Sequence, residues 1–257
     1  MALPRNFGVS GSGGFIGQAL SELATSLGVR VVPINLRSRM HRDEVGERLE
    51  ALKHQGVTDL VHLAWPASST LDYKYAAENV SAGILAVDTA ELCMEIGLHF
   101  YGFGSAAENR FSETPYSKSK ADTRQALQTA ISNGNVTWLR PHYVFKEGSW
   151  PFFLRESSET GSVVIQDNTP RDFIHINDVS EGVLSAVKNG LQGEVDIASG
   201  KLTRPSELLA ALKLGFSVLQ GQDEVQSDTE AVDISKLLNV SWSPKSTLDI
   251  LKEIHGE

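Results

Sequence analysis

The stretch NFGVSGSGGFIGQALSELATSLG, Asn6 to Gly28, decides how the rest of the chain is read. Phe7 to Ser10 predicts a short strand. Phe15, Ile16, Ala19, Leu20, Leu23 and Leu27 then recur at helical spacing, and Gly28 is placed to end the helix. Between the two lie Gly11, Gly14 and Gly17, a GxxGxxG pattern. Glycines permit a tight turn and let a pyrophosphate approach bare backbone. The helix N-terminus supplies free N–H groups and the positive end of its dipole. A glycine turn between the first strand and the first helix of an α/β chain favours nucleotide binding. The alternative is a glycine-rich connection between two packed elements.

Working outward, strands and helices alternate. Val29–Ile34 reads as a strand, 43–55 as a charged helix, and TDLVHLAW, Thr58 to Trp65, as a buried-type strand. Tyr75 to Ile96 has the pattern of a long helix, LHFYGFGS is strand-like, and Thr114 to Asn133 is helical from a Thr-Pro start. VTWLRPHYVF, Val136 to Phe145, is again a strand, closed by a proline. This predicts an α/β fold, a Rossmann-type doubly wound parallel sheet covered on both faces. After Phe145 the rhythm breaks. Asp178 to Asn189 and Pro205 to Lys213 look helical, GEVDIASG strand-like, and SWSPKSTLDILKEI ends in an amphipathic helix. The expected division is a dinucleotide-binding domain over residues 1–147 and 173–199. A smaller, discontinuous C-terminal substrate lobe is expected over 148–172 and 200–257.

Composition narrows the partners. The 257 residues carry a net charge of −9, with 41% hydrophobic and 21% charged residues. That is the balance of an ordinary globular protein, and too acidic for nucleic acid to be the main partner. A small anion in a local pocket stays allowed. Cys93 stands alone, so no intrachain disulfide forms and a reducing, cytoplasmic location is expected. MALPRNFGVS lacks an apolar signal core, and no apolar run is long enough for a bilayer. No metal-ligand spacing is found, and no metal is expected.

YSKSK, Tyr116 to Lys120, sets a tyrosine and a lysine four residues apart on one helix face. It is either an unremarkable polar turn or a proton-transfer device, because a nearby ammonium stabilises a phenolate.

These motifs together resemble the extended short-chain dehydrogenase/reductase family, the branch of sugar-nucleotide epimerases, dehydratases and reductases. GGFIG, DLVHLAW, ENV (Glu78 to Val80), GSAAE (Gly104 to Glu108), YSKSK, LRPHYVF, RDFIHINDV (Arg171 to Val179) and DISKLLNVSWSPKSTL each match a family segment, in order. The resemblance implies Tyr116 as general acid/base, Lys120 as the group that tunes it and holds the nicotinamide ribose, and Ser105 as hydrogen-bond donor to the reacting oxygen. Cofactor contacts are implied at Gly11, Gly14, Phe15, Ile16, Gly17, Asn35, Arg37, Arg39, Leu63, Ala64, Trp65, Asn79, Tyr116, Lys120, Pro141, His142 and Tyr143. Substrate contacts are implied at Trp65, Ser105, Tyr116, Tyr143 and Arg171, with Trp65 to Ser69 lining a substrate loop and Arg171 a candidate for a nucleotide diphosphate. Asn79 is expected to hold water or backbone. His62 reads as a satisfied core histidine and Cys93 as a buried helix residue. Ser117, Lys118 and Ser119 read as surface residues.

The chain also departs from the family. Little strand pattern lies between Arg39 and Asp59, where the family usually has another βα unit, and the lobe after Lys213 is abbreviated. Ala106 and Ala107 follow Ser105 where the family's 4,6-dehydratases carry Asp-Glu, and Glu108 is one residue too far along to replace them. At the end of the second strand Asn35 stands where the family often has Asp, followed by Arg37 and Arg39, which implies NADP(H) over NAD(H). The expected activity is NADPH-dependent reduction of an NDP-4-keto sugar. A nucleotide-sugar epimerase and a non-catalytic dinucleotide sensor are the alternatives. A nucleotide-sugar substrate and a homodimer are the expected partners, with neither nucleic acid nor membrane among them.

Overall fold

The computed structural model describes residues 6–66, 71–109, 114–146, 154–156, 163–211, 215–218 and 230–245. The first half follows the predicted alternation: β1 (Phe7–Ser10), α1 (Phe15–Ser26), β2 (Val31–Ile34), α2 (Arg42–His54), β3 (Asp59–His62), α3 (Glu78–Ile96) and β4 (His99–Phe103). Next come α4 (Pro115–Ala126), α5 (Gln128–Ser132), β5 (Val136–Pro141), β6 (Tyr143–Phe145), β7 (Leu154–Glu156), β8 (Val163–Ile165) and β9 (Arg171–His175). The chain continues through α6 (Ile176–Asn189), β10 (Gly193–Ile197), β11 (Leu202–Thr203), α7 (Pro205–Ala211), β12 (Phe216–Val218) and α8 (Ser235–Leu238).

Six strands form one parallel sheet in the order β10-β5-β4-β3-β1-β2. β1, β3 and β5 are buried at every position, as strands covered on both faces must be. One face packs Phe7, Val9, Leu20, Ala24, Tyr101, Leu139 and Val183 with α1 and α6. The other packs Leu49, Leu52, Leu60, Phe100 and Trp138 with α2 and α3. Truncating a side chain such as Phe100 to alanine costs roughly 3–5 kcal/mol, so the sheet is anchored on both sides.

Among the described residues β2 is an edge, and no further βα unit lies between α2 and β3. The sheet is one unit short, as the missing strand pattern after Arg39 implied. Other expectations need adjustment. The helix read from Tyr75 is a 3-10 turn over Leu71–Tyr75 followed by α3. The helix read as Thr114 to Asn133 breaks at Leu127 into α4 and α5. The strand read as Val136 to Phe145 breaks at His142, whose N–H donates to the Ile197 carbonyl at 3.0 Å. RDFIH, in the stretch where the predicted rhythm breaks, is strand β9, paired in parallel with β6 and antiparallel with β11. A third small sheet runs β12-β8-β7. The tail helix expected after Lys245 lies outside the described residues.

Candidate active site

The sheet order reverses between β1 and β3, and folds of this kind bind ligands in the crevice outside the carboxyl ends of the strands at that point. The glycine loop stands there. Gly14 N–H donates to the Gly11 carbonyl at 3.0 Å, closing the turn. Gly11 has φ +72°, and a Cβ on it would lie 2.8 Å from Ala64 N and Leu63 C. A Cβ on Gly17 would lie 2.2 Å from the Gly11 carbonyl oxygen. Both positions therefore exclude side chains. Gly13 is open, with nothing within 4 Å of its would-be Cβ. α1 starts at Gly14 with no side-chain cap and no acidic residue in its first turn. Bare backbone and an uncompensated helix dipole fit the pyrophosphate of a dinucleotide. Ile16 packs against the core, while Phe15 is exposed.

The adjoining strand ends are tied together by Ser10 and His62, register partners in β1 and β3. Ser10 Oγ lies 2.9 Å from His62 Nδ1 and accepts Ala64 N–H at 3.3 Å. Burial first, and the Lys120 charge second, lower His62 to about 3, so it is neutral. Its Nε2 has no partner among the described residues, which makes His62 a core histidine only half satisfied.

At the end of β2, Arg37 Nε donates to Asn35 Oδ1 at 3.3 Å. Arg48, on α2, donates to the Asn35 carbonyl at 2.7 Å and pairs with Glu44 at 2.8 Å. Arg39 is exposed. Arg48 was not singled out from sequence. Its only local signal is the Glu44–Arg48 spacing of four on one helix face.

The Ser-Tyr-Lys set assembles where β4 and α4 meet. Thr114 caps α4, its Oγ1 accepting Ser117 N–H at 3.2 Å, with Pro115 at the first helical position. Ser117 and Ser119 are buried, contrary to their reading as surface residues, because this face of α4 packs inward; Lys118 is exposed as expected. Lys120 is buried, its Nζ donating to the Phe103 carbonyl at 2.6 Å. The same ammonium lies 3.5 Å from the centroid of the Trp65 ring and 5.9 Å from that of Tyr116. Burial pulls Lys120 below the ordinary lysine range, and the Glu108 charge opposes that pull. Burial raises the Tyr116 phenol above its ordinary value, Tyr73 and Glu108 add to the rise, and a hydrogen bond with Ser105 works against it.

The aromatic rings of Trp65 and Tyr73 meet Tyr116 edge-on at 6.4 and 5.2 Å. Asn79, fully buried, holds this wall. Its Oδ1 accepts Trp65 Nε1 at 2.8 Å, and its Nδ2 donates to the carbonyls of Tyr73 at 2.6 Å and Ala76 at 2.9 Å. Of its two expected uses, water or backbone, these contacts are to backbone and to Trp65. The substrate-loop residues after Pro66, up to Ser69, lie outside the described residues.

Ser105 Oγ accepts Ala107 N–H at 3.2 Å. Glu108 turns inward: it accepts Ser105 N–H at 2.6 Å and Trp138 Nε1 at 3.2 Å. Across the site, His142 Nε2 lies 2.8 Å from Asp196 Oδ1. Tyr143 faces the Arg171 guanidinium at 5.4 Å. Arg171 is buried, donating to the Thr169 carbonyl at 2.9 Å and pairing with Asp167. Lys74, also missed, is lowered to about 8 by burial and by the Arg171 charge. Cys93 is buried in α3, and burial pushes its thiol up. No group of metal-binding side chains occurs among the described residues, and no described helix is long and apolar enough to cross a membrane.

A parallel sheet with a glycine loop at its reversal point, and a Ser-Tyr-Lys set beside it, define a protein of the extended short-chain dehydrogenase/reductase type. Residues 8–198 match the NAD dependent epimerase/dehydratase family, and the chain belongs to it. This is a family of NAD(P)-dependent enzymes of nucleotide sugars. No curated protein sequence matches the chain. Among solved structures it is similar to the UDP-glucose 4-epimerase of Thermus thermophilus in complex with NAD, at 18% identity and a TM-score of 0.71, over 98% of this chain and 99% of that one. It is similar to RMD from Pseudomonas aeruginosa complexed with NADPH, at 17% and 0.70, over 98% and 100%. It is also similar to dTDP-glucose 4,6-dehydratase (rfbB) from Bacillus anthracis str. Ames in complex with NAD, at 16% and 0.69, over 98% and 97%. At such identities the likeness is one of fold.

Proposed function

We propose that the protein is an NADPH-dependent reductase of a keto group on a nucleotide-activated (6-deoxy)hexose, an NDP-4-keto sugar reductase. One observation carries the reading: Ser105, Tyr116 and Lys120 come together and, among the described residues, no acid beside Ser105 is free to act on a leaving group. Ala106 and Ala107 carry none, and Glu108 is bound to Ser105 N–H and Trp138 on the far side of the turn. A dehydratase needs such an acid, and a ketone reduction does not.

NADPH, when bound, supplies the hydride. The bare rim from Gly11 to Gly17 would hold its pyrophosphate, with Leu63 and Ala64 as the opposite wall. Asn35 carries no charge to repel a 2′-phosphate, and Arg37, Arg39 and Arg48 offer guanidiniums to bind one. Pro141, His142 and Tyr143 would line the nicotinamide end. Ser105 donates a hydrogen bond to the ketone oxygen, and Tyr116 protonates it as charge develops. The Lys120 ammonium stabilises the phenolate left behind. Trp65 and Tyr73 form an aromatic wall against Tyr116. Arg171 and Lys74, whose charges repel, would both be relieved by a diphosphate between them. The lobe over 148–172 and 200–257 would hold the rest of the nucleotide. Val80 and Ile84, exposed on α3 beside a groove against α4, are where a second copy would pack in a homodimer.

The test supplies NADPH deuterated at C4 with a panel of NDP-4-keto-6-deoxyhexoses. One deuterium per product at the carbinol carbon, with matching NADP⁺, is the expected result. Sugar interconversion without net NADPH consumption establishes the epimerase instead. Inertness toward every nucleotide sugar, with dinucleotide still bound, leaves a sensor.

A further inference from the structure

Glu108 is a buried carboxylate to which the reaction above gives no part. Its side chain is fully shielded, and Oε2 faces Arg124 Nε at 3.3 Å and Arg140 Nε at 3.7 Å. The turn wraps around this group: Glu108 N–H donates to the Ser105 carbonyl at 3.0 Å, while its own Oε1 accepts Ser105 N–H at 2.6 Å. Gly104 leaves the room, since a Cβ there would lie 2.1 Å from Glu108 Oε1 and 2.5 Å from Trp138 Nε1. Burying a carboxylate costs several kcal/mol unless cations and donors offset it.

The charges around it divide unevenly. Arg124 also binds Glu194 at 3.0 Å, and Arg140 binds Glu194 at 2.6 Å and Asp196 at 3.1 Å. Glu194 and Asp196 are partly exposed, so two outer acids match the two arginines. Lys120, on α4, holds the same short segment as Glu108: its Nζ binds the Phe103 carbonyl, two residues before the Ser105 N–H that Glu108 accepts. Its contacts are the Phe103 carbonyl and the Trp65 ring, with no carboxylate within hydrogen-bond range among the described residues. Glu108 is the group whose charge opposes the desolvation of Lys120, and it also disfavours the Tyr116 phenolate.

We propose that Glu108 is the positioning residue of the Ser105–Tyr116–Lys120 set: it fixes the Ser105 peptide and supplies the buried negative charge that keeps Lys120 an ammonium. This rests on the reductase reading and deepens it. Burial raises the Glu108 carboxyl above its ordinary value, and the Ser105 N–H, Arg140, Lys120 and Trp138 oppose that rise. While Glu108 is ionised, Lys120 holds its proton and Tyr116 keeps its own until a ketone oxygen calls for it. The set is thus loaded for reduction before substrate arrives. The groups in contact with Glu108 are Arg124 from α4, Arg140 and Trp138 from β5, and Ser105 from its own turn, and its charge is felt by Lys120 and Tyr116 on α4. His62 faces Lys120 from β3 and stays neutral well below pH 6.

The indole of Trp65, against the Lys120 ammonium, is a built-in reporter. The protein is labelled with 5-fluorotryptophan, the Trp65 ¹⁹F resonance is assigned with Trp65→Phe, and its pH titration is compared in the unsubstituted protein and Glu108→Gln. Glutamine keeps the acceptor for Ser105 N–H and removes the charge. The midpoint is expected to fall by about one pH unit, the scale of one close opposite charge. An unchanged midpoint in folded Glu108→Gln overturns the proposal, because a purely structural brace leaves the titration where it was. If Glu108→Gln does not fold, Lys120→Met with ¹³C-carboxyl-labelled glutamate tests the reciprocal effect. The Glu108 titration must then move up by a similar amount, and no movement overturns the proposal. Neither readout uses a sugar substrate, so failure here leaves the reductase reading standing, and failure of the deuterium experiment is seen separately from the charge coupling measured here.

Discussion

Gly11 and Lys120 lie against the same short segment, Leu63 to Trp65, from two sides. Gly11 packs on the Leu63 and Ala64 backbone, and Lys120 sits beneath the Trp65 ring. The glycine side is defined by missing atoms: it presents backbone, carries no side-chain charge of its own, and fails when volume is added. The lysine side is defined by ionisable groups held in a dry place: it tolerates shape-preserving changes and fails when charge or a proton is lost. A substitution that respects one side's rule can still break the other's.

The largest expected effect is on the charged side. Tyr116→Phe keeps the ring and its packing and removes the proton. Turnover should fall roughly a hundredfold or more, the scale of a lost general acid, with dinucleotide affinity nearly unchanged. Steady-state kinetics and a cofactor titration check both halves, and retained turnover would take Tyr116 out of the chemistry. On the glycine side, Gly17→Ala adds one methyl 2.2 Å from a carbonyl oxygen. Such overpacking costs about 1–3 kcal/mol, so the melting temperature and dinucleotide affinity should fall together, equally at pH 6 and pH 8. A pH-dependent loss would blur the contrast.

His62 belongs to the seam, bonded to Ser10 of the glycine side and feeling the charge of Lys120. Its pKa drops from 6.5 to about 3 on folding. Between those values the unfolded chain binds a proton that the folded chain refuses. The stability is therefore complete above 6.5 and is lost as pH falls toward 3, by at most about 1.4 kcal/mol per pH unit. Urea denaturation at pH 7 and pH 5 should show a slope that His62→Gln flattens; an equal slope in both proteins would assign the acid sensitivity elsewhere. The smallest effect falls outside both sides, at the end of β2. Arg37→Ala should weaken NADPH about tenfold, the scale of a lost hydrogen bond to a charged group, and leave NADH unchanged. Calorimetric titration of both cofactors decides it.

The glycine side was legible in the sequence because its information is local. Three glycines, a strand before them and a helical repeat after them occupy one continuous stretch, and the shortened sheet showed as missing strand pattern after Arg39. Ser105, Tyr116 and Lys120 were legible as motifs for the same reason. Glu108 was noted only as misplaced, because its partners Trp138, Arg124 and Arg140 come from distant elements. Ser117 and Ser119 look like solvent-facing residues until α4 is seen packed against the rest of the protein. Arg48 and Lys74 matter through neighbours that no local pattern shows. β9 hid because its five buried residues lack alternation and its partners, β6 and β11, lie in separate parts of the chain.

The shortened sheet has a consequence for how the molecule meets others of its kind. A strand at the rim of a sheet is a template for any extended chain that drifts past, since its free amides invite one more rung. Omitting a βα unit exposes β2 to that hazard. Pro33 lies inside this four-residue strand, and a proline has no amide hydrogen to offer. Brevity and a missing donor together make β2 a poor docking rail, so the fold can stop one unit early without inviting fibrous stacking.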